Sequence, residues 1–294
     1  MEKYRLAKII AAASQLYVLT VNAATLTPSP TSPAEIDLPF TVKEGFILIQ
    51  GSVDASRGVF MLDTGTPFDF FINRDLVPLP VGEGGASGSA SSGQQIVMLK
   101  HGGNHIVRLA GAYAYTASNV RSGNLGFVGE ALHIPLLGFL GVEWLEHYEF
   151  TLDYHRQVLK LAKLDGNGAM TLRTLTSPVG ILPFSIDGSF TRLTLELNGI
   201  VLPAILDTGA QGSATLSSAT RQQLERAGLL KRSKLGNEWK LALSSVRIGA
   251  EHLYLDGLRD NGEGADEITL GYAFLKHYRS VWNYRTMTVA LFPR

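Results

Sequence analysis

Short apolar runs, broken every few residues by glycine, aspartate or polar pairs, dominate the chain from Leu38 onward. That pattern predicts strands and hairpins rather than helices. Between Leu38 and Leu62 the breaks fall at Glu44-Gly45 and from Asp54 to Gly58, which reads as β-hairpins. Phe68 to Ile72 is aromatic and β-prone, and Ile96 to Leu99 and His105 to Tyr115 predict further strands around His101-Gly102-Gly103-Asn104. One clear helix is predicted, Ser218 to Ala227, with Ser217 or Ser218 to cap its start and Gly228 to end it. Gly82 to Gly93 (GEGGASGSASSG) has no apolar side chain larger than alanine. It predicts a mobile surface loop or the tip of a long hairpin.

The N-terminal stretch follows a different rule. Glu2, Lys3, Arg5 and Lys8 precede a mostly apolar run from Ile9 to Val21, and Val21-Asn22-Ala23 offers small residues for cleavage. Residues 1–23 therefore read as an export signal, with an amphipathic N-terminal helix as the alternative. Thirteen residues are too few to span a bilayer, so no stable membrane span is expected. Residues 24–37, rich in Pro, Ser and Thr, read as a linker.

Two apolar runs end in the same three residues. Val59-Phe60-Met61-Leu62 leads into Asp63-Thr64-Gly65-Thr66, and Pro203-Ala204-Ile205-Leu206 leads into Asp207-Thr208-Gly209-Ala210. Leu38-Pro39-Phe40 recurs as Leu182-Pro183-Phe184 and Phe46 as Phe190, all at the offset of 144 residues that separates the two aspartates. Leu140 to Tyr148 recurs as Leu270 to Tyr278, and Tyr154 as Tyr284, at an offset of 130. The chain is thus duplicated, with 14 extra residues in the first copy. The period suits two domains, not a solenoid. The expected division is a first lobe over 38–166, a connection over 167–181 and a second lobe over 182–294.

Composition removes several functions. The 26 basic residues balance 26 acidic ones, which leaves no electrostatic case for nucleic acid, and there is no cysteine for a disulfide, a thiolate or a thiolate metal site. The glycine-rich stretch has neither phosphate-loop nor dinucleotide spacing, nor a nucleophile elbow. His101 and His105 stand four apart, but the glycines between them argue against a helix presenting both to a metal. His147 and His277, at equivalent repeat positions, read as structural. No metal or cofactor is expected.

Two Asp-Thr-Gly turns, each followed by an apolar-apolar-Gly turn (Phe139-Leu140-Gly141 and Thr269-Leu270-Gly271) and an aromatic-Leu…Tyr segment, resemble the aspartic proteases of the pepsin/retropepsin group. The likeness spans roughly residues 36 to 294, and the individual lobes look more retropepsin-like. It implies an all-β protein of two barrel-like lobes related by a pseudo-twofold axis, with a cleft between them. It also implies catalytic roles for Asp63 and Asp207, one from each lobe, whose neighbouring carboxylates share a proton as that family's do. Thr64 and Thr208 would brace the two loops through hydroxyl–backbone bonds, and Gly65 and Gly209 would let backbone N–H groups reach the carboxylates. Thr66 has a hydroxyl for its aspartate and Ala210 has none, so the two acids need not be equivalent. Gly93 and Gly236 are candidate flap tips, and Tyr113 and Tyr115 candidate flap tyrosines. The implied activity is endopeptidase cleavage of a polypeptide substrate, by an exported chain that suffices as a monomer. Two other readings stand beside it. One is a peptide- or protein-binding protein keeping the fold without useful turnover; the other is a duplicated β protein in which the turns are punctuation only.

Overall fold

The computed structural model describes residues 35–89, 94–111, 113–118, 120–164, 178–188, 190–248 and 251–293. The expected export signal lies outside them. Among the described residues no helix is long and apolar enough to cross a membrane.

In chain order the first half forms β1 (Glu35–Pro39), β2 (Thr41–Lys43), β3 (Phe46–Val53), β4 (Ser56–Leu62), β5 (Phe70–Asn73), β6 (Glu83–Ser89), β7 (Gln95–Lys100), β8 (Asn104–Leu109), β9 (Tyr113–Ser118) and β10 (Arg121–Gly123). It continues with helix α1 (Gly126–Leu132), β11 (Leu136–Leu140), helix α2 (Val142–Leu145), β12 (Tyr148–Asp153) and β13 (Val158–Lys163). The second half forms β14 (Gly180–Pro183), β15 (Ser185–Asp187), β16 (Phe190–Leu197), β17 (Ile200–Leu206), β18 (Ser213–Leu216), helix α3 (Ser218–Arg226), β19 (Leu230–Leu235) and β20 (Glu238–Ile248). It closes with β21 (Glu251–Glu263), β22 (Glu267–Leu270), helix α4 (Tyr272–Leu275), β23 (Arg279–Asn283) and β24 (Thr288–Phe292).

The two halves repeat one topology. The hairpin β3–β4 corresponds to β16–β17; β4 then pairs in parallel with β11 as β17 does with β22. Strands β5 and β18 fill matching places, each antiparallel to one of those strands and parallel to the next, β10 or β21. The outer hairpin β6–β7 of the first lobe answers β19–β20 of the second. The protein is therefore all-β and bilobal, as the duplication predicts.

A third sheet joins the lobes, in the order β1-β13-β12-β23-β24-β14, three strands from each half. Its seam is the antiparallel pair β12–β23, which sets Phe150 opposite Trp282 with their rings stacked at 5.5 Å. Both are fully buried. Burying a phenylalanine of this kind is worth about 2–3 kcal/mol, so the seam holds the halves by packing as well as by its ladder.

Three expectations are corrected. The linker does not run to residue 37. Alternation in Glu35–Pro39 buries Ile36 and Leu38, and the segment pairs with β13 as an edge strand. Residues 83–89, expected as mobile loop or hairpin tip, form a strand because β7 offers a partner whose own Ile96 and Met98 are buried. Tyr113 and Tyr115 are not at a flap. They are 2% and 3% exposed on the inner face of β9, where Tyr113 meets the Tyr148 hydroxyl at 3.0 Å and accepts from Trp144 Nε1 at 3.3 Å. The predicted helix is present as α3. Ser217 caps it, accepting from Thr220 N, and Gly228 follows at φ +69°.

Candidate active site

Each Asp-Thr-Gly turn begins where its strand, β4 or β17, runs out beside a parallel neighbour. Asp63 N donates to Leu140 O at 2.9 Å and Asp207 N to Leu270 O at 3.0 Å, so each aspartate is fixed by the strand next to it. The chain after each parallel neighbour turns back over the catalytic turn. Val142 N donates to Thr66 O and Tyr272 N to Ala210 O, both at 2.9 Å. This close crossing explains the glycine of the apolar-apolar-Gly motif: a Cβ on Gly271 would lie 2.1 Å from Ala210 O.

The two turns grip each other. Thr64 N donates to Thr208 Oγ1 and Thr208 N to Thr64 Oγ1, both at 3.0 Å. The same hydroxyls donate onward, Thr208 Oγ1 to Leu62 O at 3.0 Å and Thr64 Oγ1 to Leu206 O at 3.5 Å. Both threonines are fully buried. Four reciprocal bonds across a pseudo-twofold axis leave the aspartates little freedom to move apart.

Within that frame the carboxyl groups meet. Asp63 and Asp207 are 0% and 1% exposed, and a hydrogen bond links their side chains. Gly65 N donates to Asp63 Oδ1 at 2.8 Å and Gly209 N to Asp207 Oδ1 at 2.7 Å. A Cβ on Gly209 would stand 2.4 Å from Asp63 Oδ1, so only glycine lets the second turn come this close to the first acid. Thr66 Oγ1 donates to Asp63 Oδ2 at 2.9 Å. Ala210 brings no hydroxyl to Asp207. Burial pushes the Asp63 carboxyl up to about 6, against the opposing effect of the bonds from Thr66, Gly65 and Asp207.

Thus Asp63, Thr64, Gly65, Thr66, Asp207, Thr208, Gly209 and Ala210 come together. Of the flap candidates, Gly93 lies outside the described residues, and Gly236 sits in the turn between β19 and β20 at φ +62°. The histidines have partners elsewhere. His101 is held between Pro80 O at 2.8 Å and Ser122 Oγ at 2.7 Å, and His105 Nδ1 lies 2.8 Å from Asp54 Oδ2. Among the described residues no group of three or more His, Cys, Asp or Glu is placed to hold a metal ion.

One nearby cluster carried no motif to reveal it. Asp69, four residues past Gly65, is 7% exposed; burial pushes its carboxyl up to about 6, and Glu143 adds to this while the Phe70 N–H and Arg121 oppose it. Arg121 lies 3.6 Å from Glu143 and stacks over Phe68 at 4.6 Å. In the second lobe the repeat puts Ser213 at the place of Asp69 and Ala273 at that of Glu143, so the cluster belongs to one side only.

The sequence matches no family model and no curated protein sequence. In shape it matches 388 solved chains. One is basic 7S globulin from soybean, at a TM-score of 0.53 and 11% identity, covering 87% of this chain and 94% of that one. Identity this low shows the fold alone, and the fold is the bilobal acid-protease one.

Proposed function

We propose that this protein is an aspartic endopeptidase that hydrolyses peptide bonds with a water activated between Asp63 and Asp207. The observation that carries the reading is the pair of buried, mutually hydrogen-bonded carboxyls held by reciprocal threonine bonds. A structural turn has no need of two desolvated acids side by side, an arrangement that disfavours ionising both.

The roles follow from the donors. Asp63 accepts from Gly65 N–H and from the Thr66 hydroxyl, both of which favour its charged form. Asp207 therefore keeps the shared proton. Ionised Asp63 takes a proton from water as the water oxygen attacks the peptide carbon, and Asp207 donates its proton to the carbonyl oxygen. The tetrahedral intermediate collapses when the nitrogen takes the proton from Asp63 and the C–N bond breaks. Asp207 regains its proton from the intermediate's hydroxyl. No covalent intermediate, metal or cofactor enters. The hairpins β6–β7 and β19–β20, the second turning at Gly236, are the proposed covers of the cleft. Export and action as a monomer belong to the same proposal.

A binding protein without turnover is the second reading, favoured by one observation: the carboxyls have almost no exposed surface. Incubation with a diverse peptide mixture, read by mass spectrometry across pH 3 to 8, separates the two. New termini that vanish in the aspartate variants support the peptidase; retention of peptides without cleavage supports the binder.

The dyad also makes a stability prediction. Asp63 is raised from 3.8 to about 6, so between those values the folded protein holds a proton that the unfolded chain has released. Stability from this group therefore falls as pH rises through that window and is lost above it, by up to about 3 kcal/mol. Asp63→Asn should raise the melting temperature at pH 8 while changing it little at pH 4. Equal shifts at both pH values would show that the acid carries no such burden.

A further inference from the structure

Within reach of the charge of Asp207 lies a buried tyrosine that the proposed reaction does not use. Tyr154 opens the turn after β12 and is 7% exposed. Its ring packs edge-on to Tyr272 at 5.4 Å and to Phe40 at 6.0 Å. Tyr272 in turn donates its backbone N–H to Ala210 O, inside the second catalytic turn. The charged or titratable groups that bear on the Tyr154 hydroxyl are Tyr272 and Asp207.

That hydroxyl is buried and has no hydrogen-bond partner among the described residues. Its repeat equivalent does have one: the Tyr284 hydroxyl meets Thr191 Oγ1 at 3.3 Å. At the offset of 144, the first-lobe counterpart of Thr191 is Ile47, which is fully buried and has nothing to donate or accept. A phenylalanine at 154 would satisfy the packing without the cost of an unpaired buried hydroxyl. The unpaired group also bears on Asp207, whose turn carries Ala210 where the turn of Asp63 carries the Thr66 hydroxyl.

We infer that Tyr154 is a positioning residue for the dyad, hydrogen-bonding through one enclosed water to Asp207 in place of the hydroxyl that Ala210 lacks. A buried water takes two to four polar partners, and a bridged bond is nearly as favourable as a direct one. The inference rests on the peptidase reading only for its name of the site; its chemistry concerns the two acids. A donor to Asp207 favours its charged form, so losing that donor raises the titration of the pair.

The test is a carbon-13 titration of the aspartate carboxyls in the full chain, beside a melting curve and, where peptides are cleaved, a pH–rate profile. Tyr154→Phe should raise the pair's upper titration by about half a unit to one unit. Ile47→Thr should shift it in the same direction by giving the Tyr154 hydroxyl a local partner, as Thr191 does for Tyr284. An unmoved titration in Tyr154→Phe with a raised melting temperature overturns the inference, because it shows a hydroxyl that only burdens the core. A shifted titration in a protein that cleaves no peptide supports the inference while removing the peptidase reading.

Discussion

Asp63→Asn and Asp207→Asn should each lower kcat/KM for peptide hydrolysis by at least about a thousandfold, with circular dichroism and oligomeric state unchanged. General acid–base catalysis by one positioned group is worth roughly 10²–10⁴, and here each substitution disables both members. Asparagine at 63 cannot take the proton of the attacking water. Asparagine at 207 removes the proton donor, and its amide presents a new hydrogen-bond donor to Asp63. The double variant should therefore be hardly worse than either single one, because groups that act as a unit lose their function together. The fold should survive: the grip between the turns runs through Thr64 and Thr208, not through the carboxyls. Modest losses that multiply in the double variant would point to two independent binding contacts, and the acid-pair mechanism would fall.

The largest expected loss of stability lies one residue further on. Thr208→Val keeps the shape and β-branching but removes the hydroxyl that accepts from Thr64 N and donates to Leu62 O, each at 3.0 Å. Both of those backbone groups would then be buried without their partner. At about 1–3 kcal/mol for each orphaned group, the cost is about 2–6 kcal/mol, a large share of the margin an ordinary domain has. Thr208→Ser is the control, since it restores the same donor and acceptor. Chemical denaturation at fixed pH gives the comparison. A loss below about 1 kcal/mol for valine, or an equal loss for serine, would show that the reciprocal bonds contribute little. Thr66→Val should behave differently, costing little stability and raising the Asp63 titration, because its hydroxyl serves the carboxylate and not the frame.

The site was legible in the sequence because duplication wrote it twice. Matching flanks at one offset identified Asp63 and Asp207 as equivalents, and the residue types then fixed which partners a buried carboxylate would need. Helix α3 was legible because its cap, its body and its terminal glycine are local. The remainder depended on partners distant in sequence. Strand β6 has no apolar alternation of its own, and it is a strand because β7 lies beside it. Tyr113 and Tyr115 suited a flap by residue type alone; alternation along β9 turned both inward, with Ala117. The pairing of Glu149 with Asn283 across the seam could not be read from either segment alone. The unpaired Tyr154 hydroxyl depends on Ile47, distant in sequence, standing where the second lobe has Thr191.

The seam between the halves bears on the order of events during synthesis. Its central strands pair residue 149 with residue 283, and β24 follows both. Contacts so distant in sequence form late, after local hairpins. A ribosome releasing this chain would thus expose the first Asp-Thr-Gly turn long before Thr208 exists to brace it or Asp207 to share its proton. On the proposed reading, a nascent chain is harmless to itself and to its neighbours until its final strands close the seam. The safeguard is one of timing, written into the order of the strands.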